Sequence, residues 1–275
     1  MSNPNITFIG GGNMARSLVG GLVTAGTSSR RISVSEPQPE LRNKLHEDFG
    51  VNVHAENISA ATEAHVIVLA VKPQVLQEVV EPLGGLVAEH QPLLISVAAG
   101  ITAGSIERWA GGRPALVRVM PNTPALVGAG ISALYGNRNV SEEQRELAEA
   151  IMRAVGKTVW IEDEGLMDTV TAVSGSGPAY FFYVMQAIKD AAVAEGLDAD
   201  TARLLALETA LGAARLAVES VEDPGTLQKR VTSPGGTTEA AINVLDSSGV
   251  SEAFGKAVSA ARARGGGLAK LLDRD

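Results

Sequence analysis

Three glycine-rich turns carry most of the chemistry this sequence could do. The first, Gly10-Gly11-Gly12-Asn13-Met14-Ala15, fits G-x-G-x-x-A directly after an apolar run and directly before a helical pattern. Gly10 permits a tight turn, Gly12 lets backbone approach a pyrophosphate, and Ala15 allows close helix–strand contact; the helix start adds free N–H groups and the positive end of a dipole. The bland alternative is a glycine turn without a ligand. Glu36 ends the next strand-like run, where a carboxylate would bond an adenosine ribose 2′-hydroxyl and repel a 2′-phosphate. That favours NAD, although Arg42 could offset it and allow NADP. The other two turns are Ser174-Gly175-Ser176-Gly177-Pro178 and Ser233-Pro234-Gly235-Gly236-Thr237-Thr238, each leading into a helix. Either could hold an anion on free backbone N–H groups, or be no more than a helix connection.

Two further segments sit where strands should end. Pro73 in Ala70-Val71-Lys72-Pro73 forces the residue before it out of helical geometry, so Lys72 is either beside a cofactor or a solvated strand-end charge. Met120-Pro121-Asn122-Thr123-Pro124 makes a stiff loop after a fifth strand, suited to a wall beside a nicotinamide or to a rigid surface turn.

The composition excludes much else. There is no cysteine, which removes thiol nucleophiles, disulfides and thiolate metal sites, and no metal is expected. The four histidines (His46, His54, His65, His90) all lie in the first third, so a later catalytic region works without imidazole. A net charge of −8 without a basic run argues against nucleic-acid binding. With no long apolar window and no charged leader, the expectation is a soluble, cytoplasmic protein that does not enter membranes.

The elements that must position these turns follow from periodicity. Strands are expected at Ile6–Gly10, Ile32–Glu36, Val66–Val71, Leu93–Val97, Leu116–Met120, Ile131–Tyr135 and Thr158–Ile161. Helices fall between them, among them Asn13–Ala25, Glu40–Phe49, Gln74–Glu89, Ser105–Trp109 and Ser141–Val155. This alternation implies an α/β domain with a parallel sheet covered on both faces, a Rossmann-like dinucleotide-binding domain over residues 1–163. Residues 164–275 read as all-helical. Charge does not distinguish the halves, with 13 basic and 16 acidic residues in the first and 10 and 15 in the second. The helix starting at Pro178 holds Tyr180-Phe181-Phe182-Tyr183, four of the ten aromatic residues, and is apolar on nearly every face through Ala192. Such a helix needs burial all round. A domain of this size offers little cover, so a second copy of the chain is expected against it.

Taken together, Gly10–Ala15, Ala70–Pro73, Ala98-Ala99-Gly100, Met120–Pro124, Ser174–Tyr180 and Ser233–Thr238 resemble pyrroline-5-carboxylate reductase over essentially the whole chain. The last two motifs are the specific ones. The resemblance implies NAD(P)H-dependent reduction of 1-pyrroline-5-carboxylate to L-proline, the final step of proline biosynthesis. It also implies a C-terminal all-helical dimerisation domain that makes a homodimer, with a decamer of dimers as a further assembly. Carried over to this chain, Gly10, Gly12, Asn13 and Met14 would meet the pyrophosphate, and Ser35 and Glu36 the adenosine ribose. Asn57, Ala70, Val71, Lys72 and Pro73 would line the adenine and nicotinamide side, and Ala98, Ala99, Gly100, Met120 and Pro121 would wall the nicotinamide. Ser233, Gly235, Gly236, Thr237 and Thr238, with Ser176, would hold the substrate, Thr238 close to the ring nitrogen. Glu36 departs from the Ser, Thr or Arg of many NADPH-preferring members.

Such chemistry needs no histidine or cysteine, because a protonated cyclic imine is already electrophilic and the protein's task is positioning and exclusion of water. Two rivals are weaker. A β-hydroxyacid dehydrogenase needs a lysine about a turn into the helix after Gly177, and Lys189 comes too late. A nucleotide-sensing protein leaves Ser233–Thr238 without a task.

Overall fold

The structure is a computed structural model that describes residues 4–272, with side chains through Gly267. The chain forms two compact units. One contains the residues up to Ser176 together with those from Ala261 onward, and the other is Gly177–Ala260.

The first unit is built on eight strands: β1 (Ile6–Ile9), β2 (Ile32–Ser35), β3 (Asn52–His54), β4 (Val66–Leu69), β5 (Leu93–Ser96), β6 (Leu116–Met120), β7 (Gly130–Gly136) and β8 (Gly156–Trp160). They lie in the order β3-β2-β1-β4-β5-β6-β7-β8. Its helices are α1 (Asn13–Thr24), α2 (Pro39–Phe49), α3 (Asn57–Ala61), α4 (Leu76–Val80), α5 (Gly84–His90), α6 (Ala103–Trp109), α7 (Glu142–Arg153) and the short α8 (Met167–Val170). Strand side chains alternate between two cores. Ile6 and Phe8 of β1, with Val66 and Val68 of β4, join α1 and α7 on one face. Ile9, Ile67 and Leu69 join α4 and α6 on the other.

Three features differ from the sequence expectations. β3 is only three residues long and pairs with β2 in parallel, which makes β6 the sixth strand rather than the fifth. The sheet is not wholly parallel: a 3₁₀ turn at Thr123–Val127, closed by Gly128 at φ 69°, reverses the chain so that β7 runs antiparallel to β6. The single helix expected over 74–89 is broken into 3₁₀ and α segments, since Pro82 and the Gly84-Gly85 pair interrupt its ladder.

The packing boundary also falls later than the loss of strand signal at 163. Glu164 is bonded to Arg118 of β6 (2.5 Å) and to the Ala103 N–H at the start of α6 (2.7 Å), and Met167 is buried. These contacts hold the segment after β8 on the sheet unit. Burial, and then the neighbouring Glu164 carboxylate, push the Tyr135 hydroxyl above the usual tyrosine range.

The second unit holds α9 (Gly177–Ala194), α10 (Ala199–Glu219), α11 (Pro224–Arg230), α12 (Thr237–Ser247) and the first part of α13 (Val250–Leu272). Asp198 and Asp223 cap α10 and α11, each carboxylate accepting two backbone N–H bonds. The side chains of Thr226 and Thr201 help hold these carboxyls below the ordinary range. The aromatic face of α9 stays open in the single chain, with Phe181 67%, Phe182 63% and Tyr183 76% exposed. Among the described residues no helix is long and apolar enough to cross a membrane.

Candidate active site

The strand order reverses direction between β1 and β4, and ligands of open α/β sheets bind at such a point, outside the carboxyl ends of the strands. A cleft opens there. Gly10, Gly12, Ser35, Glu36, Asn57, Ala70, Val71 and Lys72 all line it, so eight of the residues expected to meet the cofactor come together. Lys72 lines the cleft and is exposed, which fits both of its readings; it is extended (φ −62°, ψ 144°), as a residue before proline should be, and Pro73 opens the 3₁₀ turn that follows.

The glycines have separate tasks. Gly10 adopts φ +100°, and a Cβ there would lie 2.7 Å from the Ala70 carbonyl oxygen and 2.9 Å from Val71 Cγ1. Its N–H donates to the Ser35 carbonyl (2.9 Å), and the Ala70 N–H donates to the Ile9 carbonyl (2.9 Å), so the ends of β1, β2 and β4 meet at this residue. Gly12 is the N-cap of α1, makes no side-chain capping bond, and would turn a Cβ into open space. Glycine at 10 serves the fold, whereas at 12 it leaves room above a helix start. That cradle fits a cofactor diphosphate. Asn13 (exposed) and Met14 (half-buried, against the core) begin α1 outside the cleft lining.

Glu36 is held by backbone amides. It is 7% exposed; one carboxylate oxygen accepts the Gly11 N–H (2.9 Å) and the other the Gln38 N–H (3.0 Å). The side chain braces the glycine turn. Arg42 Nη1 donates to the carbonyls of Glu36 (2.7 Å) and Pro37 (3.2 Å). The Ser35 hydroxyl donates to Asn57 Oδ1 (2.7 Å) on the far side of the same strand end. Leu41, Val75 and Val79 also line the cleft; their apolar types carried no signal that set them apart from core residues.

None of the five residues expected to wall a nicotinamide lines this cleft. Ala98, Ala99 and Gly100 (φ +78°) follow β5, Met120 ends β6 and Pro121 follows it, on the same edge of the sheet but outside the lining. Met120 packs on Gly175 so closely that a Cβ at 175 would strike its Cε. Asn122 Nδ2 donates to the Ser174 carbonyl (3.2 Å), while its Oδ1 accepts the Ile131 N–H (3.0 Å). The Met120–Pro124 loop and the Ser174–Pro178 turn are joined in this way. Asn122 was missed as a site-building residue, although its place between two prolines marked it.

The Ser174–Pro178 turn is not an open helix start. Residues Thr171–Gly175 form a π-helical turn, and the Ser176 N–H donates across it to the Thr171 carbonyl (2.8 Å). Its amide is therefore taken. In the second unit, the Ser233–Thr238 loop leads into α12 with Gly236 as N-cap. Gly235 takes φ +71°; its N–H donates to Glu239 Oε2 (2.8 Å), and the Gly236 N–H donates to the Ser233 carbonyl (3.0 Å). These two amides are engaged, contrary to expectation. The open donors are those of the first helical turn, Thr237, Thr238 and Glu239, because the Ala240 N–H is the first to find the carbonyl four residues back.

The whole chain aligns with known pyrroline-5-carboxylate reductases. It is 47% identical over 272 residues to a pyrroline-5-carboxylate reductase of Pseudomonas aeruginosa, covering 99% of each chain. The chain belongs to the pyrroline-5-carboxylate reductase family. A solved pyrroline-5-carboxylate reductase from Coxiella burnetii superposes with a TM-score of 0.94 at 45% identity over all of both chains. A pyrroline carboxylate reductase from Plasmodium falciparum, solved with NADP bound, superposes with a TM-score of 0.86 at 29% identity, over 98% of this chain and 99% of that one. Residues 164–268 match the family model described as pyrroline-5-carboxylate reductase dimerisation, and residues 5–100 match that described as NADP oxidoreductase, coenzyme F420-dependent. The motifs that suggested the reductase family in the sequence thus lie in a chain that matches it from end to end.

Proposed function

We propose that the protein reduces 1-pyrroline-5-carboxylate to L-proline with NADH or NADPH, acting in the cytoplasm as a homodimer or a larger assembly of dimers. The observation that carries the reading is the convergence of the glycine turn, Ser35, Glu36, Asn57 and Lys72 on one cleft at the switch point of the sheet, in a chain of this family. A reduced nicotinamide bound there supplies the hydride. The helix start at Gly12 binds diphosphate, and the first-turn amides of α12 bind the substrate carboxylate. Thr238 holds the ring nitrogen; an unperturbed hydroxyl is a poor acid, so its part is orientation. Self-association is supported by the aromatic face of α9 and by the dimerisation match, since side chains such as Phe181 and Tyr183 stabilise a fold only once they leave water.

The direct test follows oxidation of NADH and of NADPH with 1-pyrroline-5-carboxylate; absence of turnover with both cofactors overturns the reading. Thr238→Ala is expected to lower kcat/KM about 10- to 100-fold, the worth of a hydrogen bond to a charged group. Full retention of kcat/KM would remove Thr238 from the mechanism. Glu36→Gln is expected to raise the NADPH:NADH ratio of kcat/KM about tenfold, because it removes a charge beside the 2′-position. An unchanged ratio would confine Glu36 to bracing the turn.

A further inference from the structure

The contact between Glu239 and the substrate loop has a consequence for affinity. Glu239 stands at the third position of α12, and its carboxylate reaches back to the N–H of Gly235, one residue before the N-cap. Resting on the anion-loop reading above, we propose that Glu239 is an internal competitor of the substrate carboxylate, and so a residue that sets substrate affinity without taking part in turnover.

The argument is one of donors and charge. An amide N–H has one hydrogen, and at Gly235 a carboxylate of the protein already holds it. The remaining donors of the loop are the first-turn amides of Thr237, Thr238 and Glu239 itself, on the same turn as the Glu239 side chain. A substrate carboxylate arriving at these amides meets a second negative charge within the same turn. Like charges at such spacing repel, and the Gly235 N–H cannot serve both well. Either Glu239 releases the glycine as substrate docks, or it stays and opposes the substrate. Both routes weaken ground-state binding, and neither touches the reacting atoms.

The test uses the full-length enzyme. Glu239→Gln keeps an oxygen that can accept the Gly235 N–H and removes only the charge; Glu239→Ala removes the occupant. Expected for both is a two- to fivefold fall in KM for 1-pyrroline-5-carboxylate and in the inhibition constant of L-proline, with kcat unchanged, which is the range of an exposed charge pair. A purely structural cap would instead lower the unfolding midpoint and leave KM alone, and that result overturns the proposal. A rise in KM in either variant also overturns it, because it would make the Glu239 side chain, and not only its backbone amide, a substrate contact. Should the alanine variant fail to fold, the glutamine variant decides alone. The parent reading has its own control in the wild type: L-proline should inhibit much more strongly than pyrrolidine, the same ring without the carboxylate. Equal inhibition by the two means that no carboxylate is recognised, and both readings fall; unequal inhibition with an unchanged KM in Glu239→Gln removes only the role of Glu239.

Discussion

Gly10→Ala is expected to cripple both folding and cofactor binding, whereas Gly12→Ala, two residues along the same turn, should leave stability intact and weaken cofactor binding alone. At Gly10 an added methyl meets the Ala70 carbonyl at 2.7 Å on a backbone at φ +100°, a conformation that L side chains rarely adopt. Strain of about 1–3 kcal/mol and overpacking of similar size add there. The neighbour cannot give way, because it is the backbone end of β4, itself bonded to β1 through the Ala70 N–H. Gly12 sits at φ −70° and its methyl would meet nothing within 4 Å of the protein. The clash expected there is with the diphosphate of the proposed cofactor. Thermal unfolding beside a cofactor titration separates the two: Gly10→Ala should lose about 2–5 kcal/mol of stability and at least about tenfold in cofactor affinity. Gly12→Ala should lose affinity with a melting temperature within about 2 °C of wild type. A Gly10→Ala enzyme as stable as wild type would show that the turn is not pinned at this residue.

Arg118→Met is expected to be the most damaging substitution away from the cleft. Arg118 is 7% exposed, within β6, and its guanidinium bonds Glu164 Oε1 at 2.5 Å. The same oxygen accepts the first amide of α6, so one carboxylate links a strand, a helix start and the segment after β8. Removing the cation leaves that carboxylate partly buried with only the helix N-terminus to stabilise it. Breaking a buried pair from one side costs about 3–5 kcal/mol, and the solvent that reaches Glu164, whose side chain is 27% exposed, reduces the figure to about 2–3. The melting temperature should fall by about 5–10 °C. Glu164→Gln should cost less, since an amide oxygen still accepts the Ala103 N–H. A double-mutant cycle with no coupling between the two positions would show that they act independently.

What the sequence made legible, and what it did not, divides along physical lines. The glycine turn, the strands beside it and the proline at 73 were readable because each imposes a local requirement on the backbone. β3 was not, since Asn52–His54 is too short to show a period of two. The antiparallel turn into β7 was hidden for a similar reason: a 3₁₀ turn closed by Gly128 looks, in sequence, like any proline-rich connection. Within the site, residue types were legible and orientations were not. Nothing local told that both oxygens of Glu36 are held by backbone N–H groups, or that Ser176 spends its amide on a π-helical turn. Small residues before a helix announce open donors, but a carboxylate three positions into α12 closes one of them, and only coordinates reveal that it reaches back.

The scarcity of buried side chains in the second unit bears on how the protein responds to dilution. Among its described residues only Gly177, Ala202 and Ala206 are fully buried, while α9 and α10 turn phenylalanines, tyrosine and leucines outward. Alanine and glycine provide little hydrophobic free energy, so these helices have no core of their own against which to lock. Under the proposed association, folding of this unit and meeting of two chains are one event, governed by mass action. Its stability is then a function of protein concentration, whereas the sheet unit, with a core on each face, keeps its stability at any dilution.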